Sequence, residues 1–154
     1  MEKIITKNEV KRPDLTITHS FRNIPDYPYK SLKGVKVLIA EDNEVNTLMA
    51  KKFLQKWDIN ADSAENGVVA FEKVKKNDYD IILMDLQMPE LDGYGATKLI
   101  RRLDGDKYKL VPIIALTASE FMDIQDQAFQ SGMNDYLIKP FVQKDLYKII
   151  LRHT

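Results

Sequence analysis

The sequence predicts an α/β domain with helices packed on both faces of a parallel sheet. Three observations predict it. Short apolar runs rich in Val, Ile and Leu recur from Gly34 onward. Helical stripes fill the gaps between them. Strand and helix then alternate five times up to Leu151. Runs that barely alternate suit strands buried on both faces. Parallel strands need crossover connections, and right-handed crossovers put helices on both sides, giving three layers.

The first run is Val35–Ala40 (VKVLIA). After it Val45, Met49, Phe53 and Trp57 stand four apart with Leu48 beside them, which predicts a helix buried on that face. A weaker strand at Ile59–Ala64 (INADSA) precedes a stripe of Val68, Phe71 and Val74. Tyr79–Met84 (YDIILM) is the third strand, followed by Ala96, Leu99, Ile100 and Leu103 at helical spacing. Val111–Leu116 (VPIIAL) is the fourth, followed by Phe121, Ile124 and Ala128. Asp135–Ile138 (DYLI) is the fifth, and Leu146, Ile149 and Ile150 mark the last helix. The second strand offers no charged group at its tip, so an edge position fits it.

Residues 1–33 read differently. They hold seven basic and four acidic residues, a net +3, together with Pro13, Pro25 and Pro28. Proline favours extended backbone, and no long helical stripe runs here. The expectation is an N-terminal tail or linker over 1–33, with apolar residues such as Ile24, Tyr27 and Tyr29 able to dock on a body, and a folded domain over 34–154. The formal net charge of zero over 154 residues is then an average of a +3 tail and a −3 domain. A neutral total argues against a protein that works by gripping nucleic acid directly. No Cys is present, which excludes disulfides, thiolate metal sites and a cysteine nucleophile. No apolar run is long enough for a membrane helix, and Met1–Asp14 lacks a signal-peptide core. A cytoplasmic protein is the expectation. His19 and His153 sit in no helical kinase or phosphotransfer pattern and read as ordinary solvent-exposed residues.

Ligands of open α/β sheets bind beyond the carboxyl ends of the strands. Those ends carry Glu41 and Asp42, then Asp85, then Thr117, then Lys139 followed by Pro140. Each alone has a plain structural explanation. Asp42 or Asn43 suits a helix cap, Asp85 a turn residue, Thr117 a cap and Lys139 a solvated lysine. Together they bring three carboxylates, a hydroxyl and an ammonium to one sheet edge. Crowded carboxylates repel by about 4 kcal/mol per pair at 4 Å and an effective dielectric near 20. A divalent cation or a bound proton offsets that. Magnesium prefers such oxygen ligands, and the absence of nearby His or Cys disfavours zinc and copper. A carboxylate can also attack phosphorus to give an acyl phosphate, with metal and lysine neutralising the transferring group.

The stretches VLIAEDNEVN, DIILMDLQMPELDGYGATKLIR, IIALTA and DYLIKPF resemble a response-regulator receiver domain of two-component signalling. They most resemble receivers attached to hybrid histidine kinases, over about Val35 to Leu151. The resemblance implies a flavodoxin-like (βα)5 fold with strand order 2-1-3-4-5. It makes Asp85 the phosphoryl acceptor. Magnesium, or manganese, would be held by Asp42, Asp85, the backbone carbonyl of Gln87, and Glu41 directly or through water. Thr117 becomes the switch hydroxyl, Lys139 the phosphate-pairing lysine and Tyr136 the switch aromatic. The Lys139–Pro140 peptide is expected to be cis. Gln87 and Ser119 match positions that tune loss of the phosphoryl group. Gly95 stands where many relatives carry Glu, which implies a looser first turn of its helix.

The resemblance further implies a histidine kinase or phosphotransfer protein as partner. It implies self-catalysed, magnesium-dependent phosphorylation and autodephosphorylation rather than turnover of a diffusible substrate. The output surface would be the face made by the helix through Phe121–Ala128, the strand Asp135–Ile138 and the last helix, which is also where a homodimer would form. The tail favours a receiver from the end of a longer kinase over a stand-alone one. A flavodoxin-type electron carrier would need a Ser/Thr/Gly-rich phosphate cradle where Glu41-Asp42-Asn43-Glu44 stands. A haloacid-dehalogenase-type phosphatase would want an acid at position 87, where this chain has Gln. A receiver acting only as a binding module stays open.

Overall fold

The computed structural model describes residues 28–154. Five strands are found: β1 (Val37–Ala40), β2 (Asp62–Ala64), β3 (Ile81–Asp85), β4 (Ile113–Thr117) and β5 (Asp135–Ile138). They form one sheet in the order β2-β1-β3-β4-β5, and every neighbouring pair is parallel. Among the described residues six helices connect or follow them: α1 (Glu44–Gln55), α2 (Gly67–Lys76), α3 (Gly93–Arg102), α4 (Asp106–Leu110), α5 (Met122–Ser131) and α6 (Gln143–His153). The short α4 is not expected from the sequence; its five residues carry no apolar stripe and none is buried.

Side-chain alternation along the strands divides the core into two layers. Val37, Ile39, Ile81, Leu83, Ile114, Leu116 and Leu137 face α1 and α6. Leu38, Ala40, Ile82, Met84, Ile113 and Ala115 face α2, α3 and α5. The continuous apolar runs of the sequence are therefore strands covered on both faces.

The helix faces need correction. α1 buries Ala50 and Leu54, whereas Val45, Leu48 and Met49 are exposed. Trp57 lies beyond the helix end and is fully buried. Val68 is exposed on α2, whose inner face is Gly67, Ala70 and Val74. Phe121 is exposed ahead of α5. His153 is not the exposed residue expected: it is half-buried, its Nε2 2.9 Å from Asp135 Oδ2. The first turn of α3 is not left loose at Gly95, because the Gly95 N–H donates to the capping Asp92 Oδ1 at 2.8 Å.

Residues 28–33 form a strap along the α1–α6 side. Tyr29 packs on Trp57 and Tyr147 with ring centroids 5.5 and 4.9 Å away. The Leu32 N–H donates to the Trp57 carbonyl (2.8 Å) and the Lys30 N–H to the Tyr147 hydroxyl (2.8 Å). The remainder of the expected tail, including Ile24 and Tyr27, lies outside the described residues, as does His19. Arg101 of α3 makes a second tie, donating to the carbonyls of Gly132 and Tyr108 (2.9 Å each) and to Asn134 Oδ1 (2.8 Å).

Candidate functional site

Parallel register places the strand ends side by side. Ala40 pairs with Met84, Asp85 with Leu116 and Thr117 with Ile138. The residues at or just past these positions open into one cleft of about 1000 Å³, lined by Glu41, Asp42, Asp85, Thr117, Ser119 and Lys139 among others.

Local hydrogen bonds hold each group there. The Glu41 N–H donates to the Ala64 carbonyl at 2.9 Å, extending the β1–β2 pairing by one residue. Asn43 then caps α1, its Oδ1 accepting from the Asn46 N–H at 3.0 Å. This fixes the turn that turns Glu41 inward and leaves Asp42 exposed. Asp85 ends β3, and the Leu86 N–H donates to the Leu116 carbonyl at 3.2 Å. Gly93 sits so near that a Cβ there would lie 2.2 Å from the Asp85 carbonyl oxygen, so only glycine fits. Thr117 ends β4, and its Oγ1 accepts from the Ser119 N–H at 3.0 Å. Lys139 follows β5, its N–H donating to the Thr117 carbonyl, and the Lys139–Pro140 peptide is cis.

The side chains meet in an ionic network. Lys139 Nζ lies 3.1 Å from Glu41 Oε2 and 3.3 Å from Asp85 Oδ2. The Gln87 backbone N–H donates to Asp85 Oδ1 at 3.3 Å. Burial, then the neighbouring Glu41, pushes the Asp85 carboxyl up to about 6. Burial works upward on Glu41 too, but Asn46, Asp85 and Lys139 outweigh it and hold its carboxyl below the usual range. The same carboxylates hold Lys139 above its usual value against the effect of burial. Two acids in contact are thus driven apart, one kept ionised and the other readily protonated.

Glu41, Asp42 and Asp85 each offer an oxygen, and these atoms lie within 4.8 Å of one another. Lys139 supplies one positive charge against three carboxylates. That all-oxygen, under-neutralised set fits a hard divalent cation. Tyr136 is placed elsewhere: it is half-buried in the α2–α3–α5 layer, edge-on to Phe129 with centroids 6.3 Å apart. Sequence reasoning missed Asn46, whose Nδ2 donates to Glu41 Oε1 at 3.0 Å. The available signal was its place in the first turn after the acidic pair. It also missed Gly93, signalled only by a glycine eight residues after Asp85.

Comparisons with known proteins agree with the fold. The response regulator receiver domain family matches residues 37–151. Hybrid signal transduction histidine kinase G of Dictyostelium discoideum is 42% identical over 130 residues, covering 83% of this chain and 4% of that protein. Transcription factor SKN7 of Saccharomyces cerevisiae is 38% identical over 121 residues, covering 79% of this chain and 19% of that protein. The chain therefore spans only a small part of either relative. Among solved structures, the receiver domain of a sensor histidine kinase from Pseudomonas aeruginosa, with magnesium in its active site cleft, is 38% identical with a TM-score of 0.72. That match covers 78% of this chain and 97% of the other. A Saccharomyces cerevisiae co-crystal of the histidine phosphotransfer protein Ypd1 with the receiver domain of Ssk1 gives 37% identity and a TM-score of 0.71, covering 77% and 88%. The strand order is the flavodoxin-like one shared by these receivers, and no helix among the described residues is long and apolar enough to cross a membrane. With the family matched across nearly all of the described fold and the acid cluster at its strand ends, this chain belongs to the response regulator receiver domain family.

Proposed function

We propose that Asp85 accepts a phosphoryl group from a phosphohistidine of a histidine kinase or phosphotransfer protein. One observation carries the reading: Glu41, Asp42 and Lys139 converge on a buried Asp85 at the shared edge of a parallel sheet, with the Thr117 hydroxyl in the same cleft. An Asp85 oxygen forms a bond to phosphorus as the phosphorus–nitrogen bond breaks, and the imidazole nitrogen keeps the electron pair. Lys139, now shared between two carboxylates, turns to the phosphoryl oxygens, and Thr117 donates its hydroxyl to one of them. Asp42, Asp85, the Gln87 carbonyl and Glu41, directly or through water, would hold magnesium. When bound, that ion neutralises charge on the transferring group; manganese suits the same oxygen ligands. Water later cleaves the acyl phosphate, so the domain catalyses both its own loading and its own reset.

Thr117 moving toward the phosphoryl group frees space that Tyr136 takes, altering the α5–β5–α6 face as a shift between two populations. That face is the proposed output and homodimer surface. Exposed Val45, Leu48 and Met49 on α1, the helix that brings Asn46 to the cleft, offer an apolar footing to the phosphodonor protein. A cytoplasmic place belongs to the same reading.

Intact mass spectrometry after incubation with magnesium and acetyl phosphate or phosphoramidate tests it. One added phosphoryl group is expected, absent without magnesium and absent in Asp85→Asn. A wild-type protein that stays unmodified with both donors sinks the acceptor assignment and leaves a binding module.

A further inference from the structure

Glu41 has both carboxylate oxygens engaged by side chains. Oε1 accepts from Asn46 Nδ2 at 3.0 Å, and Oε2 meets Lys139 Nζ at 3.1 Å. Lys139 in turn reaches Asp85 Oδ2 at 3.3 Å. Asn46, Glu41, Lys139 and Asp85 thus form one chain of contacts across the cleft. Asp42 stands outside it, exposed and without a hydrogen bond or ion pair among the described residues.

We propose that Asn46 is a positioning residue for phosphoryl transfer, holding Glu41 so that Glu41 keeps Lys139 at Asp85. The inference rests on the reading of Asp85 as acceptor. Asn46 is itself fixed, because its backbone N–H closes the Asn43 cap that starts α1. The helix start therefore dictates where the amide lies. A neutral donor suits this position, since it satisfies one Glu41 oxygen without cancelling the charge that attracts Lys139. A cation here would compete with Lys139 for the same carboxylate. Without the amide, Glu41 has one free oxygen and a free rotation, and Lys139 loses its fixed place. Asp42 and Asp85 keep their oxygens for the metal. Glu41, which would hold magnesium directly or through water, is loosened too, so the loss falls more heavily on the rate of transfer than on metal affinity.

The test compares wild type, Asn46→Leu and Asn46→Gln in the full chain. Leu matches the size of Asn but lacks the donor, and Gln keeps the amide on a longer arm. Phosphorylation by phosphoramidate at saturating magnesium is followed by intact mass, magnesium affinity by calorimetry and folding by thermal melting. Asn46→Leu is expected to be slower by about tenfold, the size of one hydrogen bond to a charged group, with magnesium affinity within about threefold and melting little changed. Asn46→Gln is expected to regain part of the rate. An Asn46→Leu protein at the wild-type rate overturns the proposal. So does a parallel loss of rate and magnesium affinity, which would place Asn46 in the metal shell, or a Gln variant as slow as Leu, which would make its role packing. A wild type that takes no phosphoryl group strikes the acceptor assignment instead.

Discussion

Removing the Asp85 charge should stabilise the metal-free domain. Asp85 is only 5% exposed, sits beside Glu41 and shares one lysine with it. Its carboxyl is pushed from 3.8 up to about 6, first by burial and then by Glu41. Between those two values the folded protein binds more protons than the unfolded chain. Stability therefore falls as pH rises through that window and stays lower above it. The shift corresponds to about 3 kcal/mol at 1.36 kcal/mol per pH unit. Asp85→Asn removes that penalty but weakens the hold on Lys139, so about 1–2 kcal/mol should survive at pH 7.5. For a domain of this size that raises Tm by roughly 3–10 °C. Calorimetric melting in EDTA measures it at pH 7.5 and again at pH 4, where wild-type Asp85 is protonated and the gap should close. An Asn variant no more stable than wild type at pH 7.5, or a gap of the same size at pH 4, refutes the electrostatic reasoning. With magnesium added, wild type should recover stability and Asp85→Asn should gain far less.

Other perturbations separate architecture from chemistry. Gly93→Ala forces a Cβ to 2.2 Å from the Asp85 carbonyl oxygen; urea unfolding should show a loss of at least about 2 kcal/mol, and phosphorylation should fail even in the folded fraction. Arg101→Ala deletes three hydrogen bonds joining α3 to α4 and to the turn between α5 and β5; about 2–4 kcal/mol should go, with the folded protein still phosphorylated at Asp85. Tyr147→Phe keeps the ring but loses the Lys30 N–H bond; about 1 kcal/mol should be lost, and Trp57, the one tryptophan of the chain, should shift its fluorescence toward that of a wetter site.

The strands and the acid site were legible because they depend on local signals. Asp135–Ile138 is a strand with the bounds the sequence suggests, and the other apolar runs fall within a few residues of theirs. Acids at strand ends converge whenever the sheet is parallel, so Glu41, Asp42 and Asp85 could be brought together without coordinates. Helix faces were harder. Apolar residues four apart in α1 imply a buried stripe, yet the sheet takes Ala50 and Leu54 and leaves Val45, Leu48 and Met49 outside. Periodicity locates a stripe but not which stripe meets the sheet, and an exposed apolar stripe gives the same signal as a buried one. Asn46 was legible only as a polar residue in the first turn after the acidic pair, because its role depends on the direction of one side chain. The strap at 28–33 was legible only as a stretch with aromatic residues, since its seat is built from Trp57 and Tyr147, far away in the chain.

The two-layer core has a consequence for what one phosphoryl group can reach. The layers on opposite faces of the sheet are separate clusters. Thr117 leaves β4 toward α5 on one side, and Lys139 leaves β5 toward Phe141 and α6 on the other. On the proposed reading of Asp85 as acceptor, a single event at the sheet's edge would pull on two levers that share a pivot and little else. The proposed α5–β5–α6 output face takes one helix from each layer, so it would receive both pulls at once.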